Sequence, residues 1–473
     1  MTGSNSNIEL TQLIDPQIAF EKNVLALKKE NGILYVGVPD KSDIKLLTDL
    51  SFDTGMKIEA VEMAADVILL KLKELYPEYK FKNGNGAETV PVSDLSDYST
   101  VEFVNQVISG AIKSKASDIH FESLEDSFRI RYRVDGWLRE VFKMPKPKSL
   151  AVCSRLKVMA NLDISEKRRP QDGRIRFDHN GTPIDIRVSS LPTDFGEKIV
   201  LRILDKSQLR LDLSKLGINS DQLEIIKSKI SSPFGMILVT GPTGSGKTTT
   251  LYAALQHIHS VEKNILTVED PIEYNLDGIN QCNVKPDIGF NFANALRSFL
   301  RQDPDIIMVG EIRDKETAEI AVRASLTGHL VFSTLHTNDS ISGITRLTDM
   351  GIEPYLVSSS VKMIIAQRLV RTLCECKIPE TNKAIIKAVK SDKIYTKKGC
   401  EKCNFTGFLG RTAIYEIFDI SEELAELISY NPIAGEIKKA ALVKGFKSLK
   451  ESGVEKILTG ETTYEEVLRE TML

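Results

Sequence analysis

The clearest chemical signal in the chain is a loop that can bind the phosphates of a nucleotide. Residues 241–248 read Gly-Pro-Thr-Gly-Ser-Gly-Lys-Thr and fit the pattern G-x-x-x-x-G-K-[ST]. In such a loop the backbone N–H groups converge on phosphate oxygens, and the following helix N-terminus adds positive potential. Lys247 can reach the β- and γ-phosphates, and the Thr248 hydroxyl can bind Mg²⁺. The predicted nucleotide-binding residues are Gly241, Pro242, Thr243, Gly244, Ser245, Gly246, Lys247 and Thr248.

The segments around this loop predict the elements that must position it. Met236 to Val239 predict a buried strand and Thr249 to Leu255 the start of a helix, which disfavours a chance match in a flexible loop. Further apolar runs at Asn264–Glu269, Asp305–Val309 and Leu330–Leu335 alternate with helix-like segments. This alternation predicts a parallel α/β sheet, in which reactive residues lie at the carboxyl ends of the strands.

Polar residues at those strand ends predict nucleotide hydrolysis. Phosphoryl transfer to water requires a phosphate cradle, a metal ion, a residue that orients the water, and positive charge for the transition state. Glu311 follows an apolar strand and is our candidate for orienting the water, whereas Gly310 before it cannot ligate Mg²⁺. Contact with the metal through water is therefore assigned to Glu269 or Asp270, for which helix capping is the alternative.

Two histidines, His329 and His336, bracket the third of these strands. A single histidine is usually structural, but a pair around one strand in an NTPase also fits sensing of the γ-phosphate. Both interpretations stay open from the sequence alone.

Four cysteines form two close pairs near the C-terminus. They are Cys374, Cys376, Cys400 and Cys403. The second pair is a C-x-x-C knuckle followed by a glycine turn, which suits tetrahedral Zn²⁺, whereas the C-x-C spacing of the first pair is one residue short. We predict a structural zinc site, with free thiols as the alternative. The isolated Cys153 and Cys282 are expected to be small buried hydrophobes.

Length and composition predict a multidomain globular protein. The chain has 473 residues, 42% hydrophobic and 27% charged, which suggests about three domains. The predicted organisation is a small α/β docking domain at 1–80, a linker at 81–98, a second, PAS-like α/β domain at 99–205, a linker at 206–220, and a P-loop (RecA-like) ATPase domain at 221–473 that includes the tetra-cysteine segment 370–408 and helices at 421–473.

Charge and patterning disfavour several classes of protein. The net charge of −3 gives no general attraction to nucleic acid or to an anionic membrane. The N-terminus lacks the basic and apolar regions of a signal peptide, and no apolar run is long enough to span a bilayer. Six cysteines in a chain of this length fit a reducing cytoplasm. We therefore expect a cytoplasmic protein whose membrane contact is peripheral.

From about residue 99 to its C-terminus the sequence resembles the GspE/PilB family of secretion ATPases, which power type II secretion and type IV pilus assembly. The resemblance rests on several motifs besides the P-loop. They are Lys115-Ala-Ser-Asp-Ile-His-Phe-Glu122, Arg168-Arg-Pro-Gln-Asp-Gly-Arg174, Val268-Glu-Asp-Pro-Ile-Glu273, the stretch Leu300 to Asp314, and Thr327 to Thr337. Residues 13–76 resemble the N-terminal domain of the assembly and secretion branch more weakly.

The resemblance implies a homohexameric ring that hydrolyses ATP with Mg²⁺, carries structural Zn²⁺, and drives an inner-membrane platform protein. It also implies an N-terminal domain that can dock on a cytoplasmic-ring protein. In the family, arginines of the second domain reach the nucleotide of a neighbour, and the matching positions are Arg187 and Arg202. Further arginines of the family's active site match Arg297, Arg301 and Arg313. No Arg-Leu-Gly motif of the cyclic di-GMP-binding variants is present, so that ligand is not predicted.

Three classes of function compete at this point. The leading one is an assembly motor, for a pilus, a secretion pseudopilus or a competence pseudopilus. The second is a DNA-transfer motor of the related conjugation type, which neither the near-neutral charge nor the cysteine pairs favour. The third is a scaffold that binds ATP without hydrolysing it, which the presence of Glu311 disfavours.

Overall fold

A computed structural model describes most of the chain. The described residues are 13–14, 18–19, 22–30, 32–41, 44–64, 67–68, 71–72, 75–76, 99–204 and 211–472. The predicted linker at 81–98 and the first part of the predicted linker at 206–220 lie outside them. Contacts divide the chain into two compact units, residues 1–88 and 89–473, which are described separately.

In the N-terminal unit the described residues include a three-stranded sheet and a helix. These elements are β1 (Leu25–Glu30), β2 (Ile33–Val38), α1 (Ile44–Thr54) and β3 (Lys57–Glu62). The strand order is β1-β2-β3, with β1 antiparallel and β3 parallel to the central strand. Alternate residues of β2, Leu34, Val36 and Val38, point into the core, where they meet Leu50 of α1. The helix predicted over residues 64–76 lies partly outside the described residues; Ile68 and Leu72, on its predicted inner side, are buried in the same core.

The second unit begins with a six-stranded antiparallel sheet and two helices. These are α2 (Thr100–Lys113), β4 (Asp118–Ser123), β5 (Ser127–Val134), β6 (Trp137–Pro145), α3 (Lys148–Met159), β7 (Gln171–His179), β8 (Thr182–Thr193) and β9 (Gly196–Leu204). The strand order is β6-β5-β4-β9-β8-β7. Ile119 and Phe121 of β4 pack in an apolar core with residues of α2 and α3. Because side chains alternate along a strand, Asp118, His120 and Glu122 lie on the opposite face.

The rest of the second unit contains a seven-stranded sheet with the predicted parallel α/β architecture. Its elements through the sheet are α4 (Ser220–Ile230), β10 (Gly235–Thr240), α5 (Lys247–Ile258), β11 (Ile265–Glu269), β12 (Asn280–Asn283), α6 (Phe292–Phe299), β13 (Ile306–Val309), α7 (Lys315–Leu326), β14 (Leu330–Leu335), α8 (Ser342–Asp349), α9 (Pro354–Ser360), β15 (Val361–Leu373) and β18 (Phe408–Asp419). The order is β12-β11-β13-β14-β10-β15-β18, parallel except for β18, which runs antiparallel to β15. The sequence did not predict β15 and β18.

The cysteine segment and the C-terminal helices follow this sheet. They comprise the short strands β16 (Ile378–Pro379) and β17 (Tyr395–Thr396), with α10 (Lys383–Val389), α11 (Glu422–Tyr430), α12 (Ala434–Val443), α13 (Leu449–Leu458) and α14 (Tyr464–Thr471). The predicted helical C-terminus is therefore observed. Among the described residues, none of the helices combines the length and apolar character needed to cross a bilayer.

Candidate active site

The loop between β10 and α5 requires glycine at defined positions. Gly241 has φ +146° and Gly246 has φ +88°, a region that residues with a side chain rarely adopt. A Cβ atom on Gly241 would lie 2.6 Å from the carbonyl oxygen of Gln367, and one on Gly246 would lie 2.8 Å from the Gln367 amide nitrogen. Strand β15 therefore packs so closely that only glycine fits, and this packing positions the loop.

Two side chains of the loop fit an anionic ligand. The Lys247 ammonium donates to the carbonyl oxygens of Gly241 (2.8 Å) and Pro242 (3.0 Å), which places its charge over the loop. Burial lowers the pKa of Lys247, and the negative charge of the nearby Glu311, which raises this pKa, only partly offsets the effect of burial. The Oγ of Ser245 is buried and has no hydrogen-bond partner among the described residues. A bound phosphate would offer acceptors to both groups, so these residues fit a nucleotide.

Glu311 lies just beyond β13, beside His336 at the end of β14. One carboxylate oxygen pairs with Arg313, and the other lies 3.2 Å from Nε2 of His336. Burial alone raises the pKa of Glu311, but Arg313 and His336 together hold it below its ordinary value. The carboxylate is therefore ionised at neutral pH, as a group that orients and activates water must be.

Glu269 and Asp270 are neighbours in sequence but occupy different environments. Glu269 is 3% exposed, and its carboxylate accepts hydrogen bonds from Tyr252, from Thr267 (2.7 Å) and from Gln281 (3.0 Å). Burial raises the pKa of Glu269. Asp270 is exposed and lines the cleft. Both line the cleft, but of the two carboxylates proposed to contact the metal through water, Asp270 is the exposed one.

A cleft of about 990 Å³ brings most of the predicted site residues together. Its lining includes Pro242 to Thr248, Glu269, Asp270, Glu311, Arg313, His336 and Arg202. Five residues predicted for the nucleotide site are not in this lining: Gly241, Arg187, His329, Arg297 and Arg301. His329 immediately precedes β14, at the end opposite His336, and its Nδ1 lies 3.0 Å from the carbonyl oxygen of Ala324. Arg297 pairs with Glu316 at 2.5 Å, and Arg301 donates to the carbonyl oxygen of Arg297.

The two arginines of the antiparallel sheet are held in ion pairs. Arg187 pairs with Glu273 at 3.0 Å and donates to the carbonyl oxygen of Ile272 at 2.5 Å. Arg202 pairs with Asp118 at 3.1 Å. Both also line a second cavity, of about 460 Å³. Within the described residues, neither guanidinium is hydrogen-bonded to the loop at 241–248.

Sequence reasoning missed two polar residues of β15 that support the site. The side-chain oxygen of Gln367 accepts a hydrogen bond from Thr250 of α5 at 2.7 Å. Arg368 is 2% exposed and donates to the carbonyl oxygen of Asn338 at 2.8 Å, which anchors the loop that follows His336. The available signal was a Gln-Arg pair inside an apolar run, because polar groups in a buried strand need partners.

The four cysteines of the two pairs form one cluster. The sulfur atoms of Cys374 and Cys400, and those of Cys400 and Cys403, are 3.8 Å apart, and those of Cys376 and Cys403 are 3.9 Å apart. Tetrahedral Zn²⁺ with Zn–S bonds of about 2.3 Å requires sulfur separations of about 3.8 Å. Backbone N–H groups of Cys400 and Gly407 donate to the Cys403 sulfur at 3.2 Å, which favours a thiolate. The cluster therefore fits zinc despite its C-x-C spacing.

Comparisons with known proteins identify relatives of this chain. Residues 94–469 match the family described as type II/IV secretion system protein. The chain is 47% identical to the type IV pilus assembly ATPase PilB of Myxococcus xanthus, over 98% of this chain and 87% of that protein. It is 51% identical to the type II secretion system ATPase E of Vibrio cholerae, over 79% of this chain and 76% of that protein.

Solved structures show the same fold. The Legionella pneumophila ATPase DotB superimposes with a TM-score of 0.61 at 22% identity, over 79% of this chain and 95% of that one. The pilus retraction motor PilT with bound ADP superimposes with a TM-score of 0.54 at 28% identity, over 77% of this chain and 96% of that one. The chain therefore belongs to the type II/IV secretion system family and is one of its ATP-hydrolysing motors.

Proposed function

We propose that this ATPase forms a homohexameric ring that drives assembly of a type IV pilus or a type II secretion pseudopilus. It would act at the cytoplasmic face of the inner membrane, on a platform membrane protein. The names of the relatives support the process. The ring is supported by one observation: Arg187 and Arg202 pair with Glu273 and Asp118, and neither is hydrogen-bonded to the P-loop of its own chain, as expected if they serve a neighbour's nucleotide.

In the proposed hydrolysis, Glu311 orients the attacking water and His336 holds the Glu311 carboxylate from the γ-phosphate side. Lys247 binds the β- and γ-phosphates in place of the carbonyl oxygens that it contacts here. Mg²⁺ would neutralise phosphate charge, held by Thr248 and, through water, by Asp270. Because both Glu269 oxygens are already hydrogen-bonded, Glu269 is a positioning residue that fixes Tyr252 of α5.

Residues outside the cleft complete the proposal. None of Arg297, Arg301 and His329 lines the cleft of its own chain. We therefore infer that these residues can contribute to hydrolysis only at the site of a neighbouring subunit. The four cysteines would hold a structural Zn²⁺. Residues 1–80 would dock on a cytoplasmic-ring protein, and the linker at 81–98 would connect them to the rest of the chain. The linker at 206–220 would join the domain at 99–205 to the ATPase domain. No nucleic-acid partner is proposed.

Mixed rings test whether the site is shared. The variant Glu311→Gln keeps both arginines but lacks the water-orienting carboxylate. The double variant Arg187→Ala plus Arg202→Ala keeps the carboxylate but lacks both arginines. Each alone should be nearly inactive, since an arginine at the transition state is worth about 10³- to 10⁵-fold in kcat. Co-expressed with different affinity tags and purified through both, the pair should regain ATPase activity at mixed interfaces.

Arg176→Ala is the matched control, because Arg176 is exposed on the neighbouring strand β7 and lines neither cavity. It should keep wild-type activity. If the two tagged variants do not co-purify, the ring is wrong. If they co-purify but remain as inactive as each parent, the arginines act within one chain.

A further inference from the structure

The only tryptophan of the chain, Trp137, lies in the nucleotide cleft on a rigid cationic support. The guanidinium carbons of Arg371 and Arg469 lie 4.7 and 5.0 Å from its ring centroid. Both guanidinium groups donate to the carboxylate of Glu466, at 2.6 to 2.9 Å. Arg371 also stacks on Phe408, at 4.0 Å. Trp137 nevertheless remains 47% exposed, so part of its aromatic surface is open to the cleft.

The turn that carries Trp137 is fixed before any ligand binds. The Asp135 carboxylate accepts a hydrogen bond from the Gly410 N–H at 2.9 Å, which joins the turn to β18. Within the turn, Arg133 donates to the carbonyl oxygen of Gly136, also at 2.9 Å. A side chain held in this way loses little conformational freedom when it binds a ligand.

The order of strands in the sheet indicates which part of a nucleotide Trp137 would meet. Strand β10, which leads into the P-loop, lies between β14 and β15. Glu311 and His336, on the β13 and β14 side, define where the γ-phosphate lies. Trp137 and Arg371 line the same cleft on the β15 and β18 side. A nucleotide with its γ-phosphate near Glu311 therefore extends its base toward Trp137.

We propose that Trp137 is the platform on which the nucleotide base stacks, with Arg371 and Arg469 holding the indole in place. An aromatic ring offers a purine a flat apolar partner. The inference rests on the proposed nucleotide site and adds the determinant of base binding. Trp137 would thus be a binding residue supplied by the antiparallel domain to the ATPase domain, whereas the P-loop binds only phosphates.

Tryptophan fluorescence, excited selectively over tyrosine, tests this directly, because Trp137 is the only tryptophan of the chain. The full-length protein is titrated with ADP and separately with pyrophosphate, which has the phosphates but no base. ADP should quench the emission saturably, and pyrophosphate should bind, by calorimetry, without that quenching. Equal quenching by the two ligands would mean that Trp137 only senses a domain movement, and the platform would be wrong.

Two variants separate stacking from folding. Trp137→Leu keeps an apolar side chain without a ring and should weaken ADP binding about 5- to 150-fold while leaving pyrophosphate binding unchanged. Trp137→Phe keeps a ring and should recover most of the ADP affinity. If Trp137→Leu weakens both ligands equally, the role is structural and the platform is refuted. If neither ligand binds the wild type, the nucleotide site itself is wrong.

Discussion

Replacing Glu122 by Gln should destabilise the antiparallel domain by several kcal/mol in a pH-dependent way. Glu122 is 5% exposed on the charged face of that sheet. Its carboxylate is paired with Arg129 and Arg131, both at 2.7 Å, and with Lys198 at 3.3 Å. The substitution keeps the shape of the side chain but leaves three cations without their counter-charge.

The magnitude follows from the pKa of Glu122. Burial alone raises this pKa, but hydrogen bonds from Arg131 and Arg129 more than offset burial and lower it from 4.5 to about 2. Each pH unit between the folded and unfolded pKa values is worth about 1.4 kcal/mol, so the ionised carboxylate contributes about 3 kcal/mol at pH 7. Because the folded pKa is the lower one, this stabilisation is present above pH 4.5 and is lost as the pH falls toward 2.

Denaturant unfolding followed by Trp137 emission measures the effect, because Trp137 lies on β6 of the same domain. The variant should lose about 3 kcal/mol at pH 7, and the gap to wild type should narrow by about 1.4 kcal/mol at pH 3.5. Glu125→Gln is the matched control, since Glu125 is exposed in the adjacent turn and should change stability by less than about 0.5 kcal/mol. A loss below about 1 kcal/mol, or a gap independent of pH, would refute the reasoning.

Three further predictions concern the site and the cysteines. Glu311→Gln should still bind ATP but lose about 10²- to 10⁴-fold in kcat, because the ionised group that orients water is gone; phosphate release and calorimetry would check this, and normal turnover would contradict it. Gly246→Ala should weaken ADP binding while leaving far-UV circular dichroism unchanged, because its φ of +88° and the contact with Gln367 exclude a methyl group; unchanged affinity would show that the loop can relax. Cys376→Ser should lower the zinc content measured by atomic emission and reduce Tm, whereas the isolated Cys153→Ser should retain zinc. Wild-type protein without zinc would disprove the metal site.

Local patterns predicted much of the fold and part of the site. Apolar runs bounded by polar residues identified β10, β11, β13 and β14, because each is short, continuous and buried on both faces. The same reasoning failed for β15, whose apolar run is interrupted by Gln367 and Arg368. Those side chains are tolerated in a buried strand because residues distant in sequence supply hydrogen-bond partners. Thr250, 117 residues before Gln367, donates to the Gln367 side chain, and the carbonyl oxygen of Asn338, 30 residues before Arg368, accepts from Arg368.

The sequence also placed two histidines at one site that the fold separates. His329 and His336 flank a strand of six residues and are therefore seven steps apart, which at about 3.3 Å per residue separates them by roughly 23 Å along it. Only His336 reaches Glu311. Strand geometry applied to the sequence would have been enough to make this distinction.

By itself, the sequence determined the P-loop, the Glu311 candidate and the cysteine pairs, because each depends on residues that are contiguous or on the end of a single strand. The tertiary structure decided that Glu269 is buried and hydrogen-bonded through both carboxylate oxygens while Asp270 is exposed in the cleft, and that Trp137 lies beside Arg371. These outcomes depend on which distant strands pair and which domain packs over the cleft. The physical reason is that hydrogen bonds and aromatic contacts between distant residues form only once the chain has closed the intervening loops, and no local pattern encodes that closure.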